Sequence, residues 1–151
     1  IGSDFGTNGG QDLYIWDHEA GQKRLVIAND GKVGIGADPP QGNGSLYKLY
    51  VEGGITTRDV LVQTGPWPDY VFKPDYERMP LSALRTFVRT NHHLPGIPSA
   101  AEVEARGGVE VGESLCATVR TVEEQALYIL ELEERVARME RMVAVLAKQQ
   151  R

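Results

Sequence analysis

The sequence predicts an α+β chain that associates with copies of itself. Three observations carry that expectation. Glycines cluster before residue 66 and at 96–112, and residues 113–151 hold none. The first sixty residues read as short β-branched and aromatic runs broken by turn residues, the pattern of short strands. From Val122 onward, apolar residues recur in heptads, the spacing that buries one face of a helix against a partner helix.

The strands come first. Leu13–Trp16 and Leu25–Ile27 suit two strands, with Asp17–Lys23 as the loop between them. Asn29-Asp30-Gly31 marks a second turn. Asp-Gly between apolar runs predicts a type I′ turn, with positive φ at both central residues. Val33 and Ile35 then alternate with Gly34 and Gly36. Leu46–Val51 reads as another extended run, and Ile55–Val62 as a further strand candidate. Strands this short and this few bury little core on their own. Several chains wrapped round one axis would bury far more.

A connector and a helical cap follow. "TGPWPDYVFKPDY" at 64–76 combines three prolines with four aromatics. Proline on both sides of Trp67 stiffens the backbone, and the aromatics are expected to pack on the next unit. Exposed rings can also stack on sugar faces, which makes Tyr14, Trp16, Trp67 and Tyr70 the candidate ligand-binding residues. Leu81, Leu84, Phe87 and Val88 recur at helical spacing after Pro80, and Asn91 is the expected stop. Ser99-Ala-Ala-Glu102 is a capping-box pattern opening a short helix that Gly107 ends.

The tail is read as a parallel coiled coil. Val122, Ile129, Val136 and Val143 fall at a; Gln125, Leu132, Met139 and Leu146 fall at d. At 1.5 Å per residue, 122–149 spans roughly 42 Å. Arg135 at g and Glu140 at the next e can pair between chains. Leu127 and Leu130 lie off the seam and are expected to pack on the preceding cap. β-branched a residues with Leu at d favour dimers in simple zippers. The expected organisation is therefore a β-rich segment at 1–62, a connector at 63–80, a small helical cap at 81–120 and an association helix at 121–151.

Composition narrows the chemistry. A net charge of −5 does not attract phosphate backbones, which argues against nucleic acid as a partner. No apolar stretch reaches membrane-spanning length. A single cysteine excludes an internal disulfide framework. "GKVGIG" lacks the G-x-G-x-x-G order, and Pro39-Pro40 blocks the helix a dinucleotide site needs. His92 and His93 are adjacent, so in extended backbone they point apart and are a weak metal candidate. Cys116 reads as a small apolar helix residue rather than a nucleophile. The expectation is no catalytic residue, no cofactor and no resident metal. The opening "IGSDFGTNGG" reads as the start of a piece cut from something longer.

Two stretches carry a resemblance. "NDGKVGIGADPP…YKLYVEGGI" resembles the G-x-V-G-I-G-T-x-x-P…K-L-x-V-x-G-x-I segment of phage tail-fibre-like and bacterial surface fibre proteins. "WPDYVFKPDYERMPLSALRTFVRTNHHLPGIPSAAEVEARGGVEVGE" with "EEQALYILELEE" resembles the C-terminal module of large fibre-like proteins. The likeness covers roughly 29–135. It implies an intertwined homotrimer at a fibre end, on a cell surface or a phage-like particle, with a surface glycan or outer-surface receptor as a second partner. Related phage fibres end in a self-cleaving intramolecular chaperone. No serine-lysine cleavage motif is recognisable here, so the resemblance carries over a trimer-capping role without cleavage.

Overall fold

A computed structural model describes residues 12–40 and 46–149 of the chain. It is a mixed α+β protein whose chain divides into two compact units, Ile1–Val60 and Leu61–Arg151. The first unit holds a four-stranded sheet in the order β1 (Leu13–Asp17), β2 (Gln22–Ile27), β3 (Val33–Ile35), β4 (Leu49–Val51). β1, β2 and β3 pair antiparallel, and β3 pairs parallel with β4 across the connection at 36–48.

Two turns make the antiparallel part. Between β1 and β2, the Asp17 carboxylate accepts from the backbone N–H groups of Glu19 and Ala20, each at 3.0 Å. That is the local side-chain turn aspartate favours. Between β2 and β3 the turn differs from the sequence expectation. Gly31 N–H donates to the Ala28 carbonyl, and Gly31 has φ 79°, but Asp30 keeps a negative φ. The loop is thus a three-residue turn ending in a left-handed glycine, not a two-residue type I′ turn. A longer loop spares Asp30 the left-handed region and frees its carboxylate to meet Lys32 Nζ at 2.6 Å.

The sheet has two unlike faces. Val26 and Ala28 are buried on one of them, with Gly34 beside Val26 in the ladder. The Ala37–Pro39 loop closes on Gly34 so tightly that a Cβ there would lie 2.1 Å from the Ala37 carbonyl oxygen. Lys32 is 2% exposed and also donates to the Pro40 carbonyl, which ties the turn to that loop. Ile55–Val62 does not form a strand. Its composition suits one, but among the described residues no neighbouring strand takes up its backbone groups, and Ile55 and Leu61 are exposed.

The second unit is built on one long helix. A short 3-10 turn, Pro68–Phe72, precedes α1 (Leu81–Asn91), α2 (Ala100–Arg106) and α3 (Val111–Gln149). The ends of α1 and α2 follow the sequence signals. Pro80 precedes α1, and α1 ends where His92 turns left-handed at φ 59°. Ser99 caps α2 with both halves of the capping box made, and Gly107 closes it. At 1.5 Å per residue α3 is about 58 Å long, far longer than the cap it carries.

Candidate functional site

α3 presents two working sides. On one, Arg120, Glu123, Glu124, Leu127, Tyr128 and Glu131 meet the connector and the cap. These fall at b, c, f and g of the heptad. On the other, the a and d positions Val122, Ile129, Leu132, Val136, Met139, Val143 and Leu146 are between 44% and 65% exposed. Gln125 completes the row and is exposed. The heptad row is therefore exposed along the helix, apolar at every a and d position except Gln125.

The cap side is held by specific contacts. Tyr128 is 7% exposed and its hydroxyl donates to the Met79 carbonyl. Arg78 lies over the Tyr128 ring at 4.0 Å from the centroid and pairs with Glu131 at 2.6 Å. The Tyr76 hydroxyl donates to Glu124. Burial and that carboxylate push the Tyr76 pKa up to about 12. Pro68 and Val71 bury themselves in the 3-10 turn. Glu123 faces Asp69, with one carboxylate oxygen buried and unpartnered. Desolvation first, then the Asp69 charge, raise the Glu123 pKa.

The strap at 92–99 lies on the same helix. Arg120 donates to the Pro95 carbonyl at 3.4 Å, and its guanidinium occupies the space beside Gly96. His93 stacks edge-on against Phe87 with centroids 5.4 Å apart, and its Nδ1 lies 3.0 Å from the Leu94 carbonyl oxygen. His92 forms the left-handed end of α1. The two histidines thus serve the corner between α1 and α2. Among the described residues no three His, Cys, Asp or Glu side chains gather as a metal site.

The aromatic candidates divide. Tyr70 packs against Tyr76 at 5.8 Å, as the expected packing requires. Trp67 and Phe72 instead stay exposed, Trp67 at 47%. The apolar anchors of the connector are Pro68 and Val71, because the 3-10 turn directs these two inward. Tyr14 and Trp16 belong to the first unit, where both are half-buried and Lys23 lies over the Tyr14 ring at 5.6 Å. Leu127 is half-buried beside the cap, whereas Leu130 remains 60% exposed and lines an open cleft with Phe72 and Leu81. Cys116 is half-buried on α3.

The contacts of Tyr128, Arg78 and Arg120 were not visible in the sequence. Tyr128 was the one with a signal: an aromatic with a hydroxyl beside the heptad seam needs a partner for its donor.

No helix among the described residues is long and apolar enough to cross a membrane. No protein-family model matches this chain, and neither a curated protein nor a solved structure matches it.

Proposed function

We propose that this chain is the non-catalytic, trimer-forming cap of a tail-fibre-like or cell-surface fibre protein, working outside the cell. One observation carries the reading. α3 binds its own cap on one side and leaves a heptad-spaced apolar stripe open on another. From Leu132 onward every seam residue is exposed, and the rest of the helix there is also exposed apart from half-buried Ala137. A bare helix of that length is marginal in water unless its apolar face is covered. Parallel packing on the same stripe of other copies covers it and fixes register.

The order of assembly follows from topology. The helices are local structure, while the β3–β4 pairing must close the 36–48 connection first. Local elements form before non-local strand pairing. A zipper formed early sets three chains in register before their β-rich segments pair.

The test is solution mass by light scattering on three proteins: the intact chain, a truncation after Glu134, and the double variant Val136→Asp/Val143→Asp. The truncation keeps every cap contact described above. A trimer that becomes monomeric in both altered forms supports the reading. A monomeric intact chain overturns the association, and a dimer overturns the trimer.

A second reading has one observation of its own. Trp67 is half exposed on a proline-stiffened backbone, a ring presented for stacking on a glycan or an outer-surface receptor. Trp67→Ala should then remove binding to surface polysaccharide and leave the mass unchanged.

A further inference from the structure

The ladder register places the aliphatic residues of the sheet on one face. Directly paired residues share a face. One row reads Leu13, Ile27, Val33, Leu49, and the next reads Ile15, Leu25, Ile35, Val51. Two residues from each of four strands make eight, with no polar, charged or aromatic side chain among them. Leu13, Ile15, Ile27, Ile35 and Leu49 are 39–54% exposed. The core of the unit lies on the other face, where Val26 and Ala28 are buried and the Ala37–Pro39 loop packs on Gly34. The grid stops at the hairpin end, where Arg24 pairs with Asp17 at 2.6 Å.

We infer that this grid is an interface between copies of the chain, each sheet packing its eight aliphatics against the same face of its neighbours. Three observations select that occupant. First, the eight side chains offer no donor, acceptor, charge or ring, so the grid itself has nothing to recognise a sugar or a charged surface, and another aliphatic surface complements it. Second, residues 1–11 and 41–45 are too poor in apolar side chains to match eight aliphatics. Residues 1–11 hold only Ile1 and Phe5 as large apolar side chains, and 41–45 hold none. Third, the size fits a tethered partner. The exposed grid amounts to a few hundred Å², below the ~800 Å² per partner of a stable free-standing interface. Such a face does not hold free molecules together, but it does hold copies already joined elsewhere. The α3 seam is that second joint, and linkage raises the local concentration of one sheet about another to roughly millimolar. The inference therefore rests on the association proposed for α3, and adds where the β-rich units meet.

The experiment uses the full chain in a Cys116→Ser background. Ile15→Cys places a thiol on the grid; Lys23→Cys places one on the opposite face. At ~10 μM protein, mild oxidation should cross-link Ile15→Cys chains about a hundredfold faster than the same variant carrying Val136→Asp/Val143→Asp, and faster than Lys23→Cys chains. Adding Val136→Asp/Val143→Asp should abolish the difference. Ile27→Lys, at a site already exposed in the single chain, should lower the thermal midpoint of the intact assembly and leave that of the Val136→Asp/Val143→Asp form unchanged. Equal, slow cross-linking in a chain that light scattering shows to be oligomeric overturns the grid interface and leaves the α3 reading standing. A monomeric intact chain overturns both.

Discussion

Gly96→Ala tests how α3 grips the strap at 92–99. Gly96 has φ 77°, and a Cβ built there would lie 1.8 Å from Arg120 Nη2. Two penalties follow. A side chain in left-handed backbone costs about 1–2 kcal/mol. The guanidinium must also withdraw and lose its hydrogen bond to the Pro95 carbonyl, which at 3.4 Å contributes about 1 kcal/mol or less. The total is roughly 2–3 kcal/mol. With a urea slope of ~1–3 kcal/mol per molar, the midpoint should fall by about 0.7–3 M. The assay is urea unfolding followed by helical circular dichroism at one fixed protein concentration. Arg120→Ala separates the two penalties. In that background the clash is gone and Gly96→Ala should cost only the backbone part, giving a coupling of about 1 kcal/mol. Equal costs in both backgrounds would show that Arg120 does not hold Gly96, and the strap's attachment to α3 would need another explanation.

Three further outcomes are expected. Tyr128→Phe removes the donor to the Met79 carbonyl but keeps the ring under Arg78, so it should cost about 1 kcal/mol in the same unfolding assay; no change would mean that bond is not made. Ser99→Ala removes the cap of α2 and should cost about 1 kcal/mol. The backbone and side-chain hydrogen bonds from Ser99 hold the Glu102 pKa below its ordinary value; that contribution is present above the unfolded pKa and is lost as pH falls through the lowered one, so the Ser99→Ala penalty should shrink in acid. Glu123 has the opposite sign. Its pKa is raised by desolvation and Asp69, so the folded form holds its proton longer and stability falls as pH rises through the window above 4.5. Glu123→Gln should flatten that part of the pH–stability curve, and an unchanged slope would place the titration elsewhere.

The sequence made the helices legible because their signals are local. Pro80, the Ser99–Glu102 box and Gly107 sit next to the ends they make, and the a/d stripe of α3 repeats within a single element. Strand assignment fared less evenly. Ile55–Val62 has the composition of a strand, but among the described residues no strand pairs with it, and pairing is not written in composition. The Asn29–Gly31 turn lies where the sequence places it but is a three-residue loop with a left-handed Gly31 rather than a type I′ turn, and the backbone φ of Asp30 is not written in its composition. The cap contacts were hidden for a related reason. Tyr128 reaches a carbonyl 49 residues earlier, and the burial of Lys32 depends on a loop that returns to Pro40. Trp67 shows the converse: the most prominent aromatic of the connector is exposed, while Pro68 beside it is buried.

The two working sides of α3 share one ordered backbone, and that makes them thermodynamically reciprocal. Docking the cap fixes the helical φ and ψ that the stripe needs, so a partner chain meets a helix whose nucleation is already complete. Covering the stripe in turn suppresses the fraying that would release Tyr128 and Arg120. Each event strengthens the other by the same free energy, although no cap residue need touch a second chain. The melting temperature of the cap should consequently rise with protein concentration, and this dilution dependence should disappear in Val136→Asp/Val143→Asp. The stability of the cap would then report the assembly state of α3 through residues that need not touch a second chain.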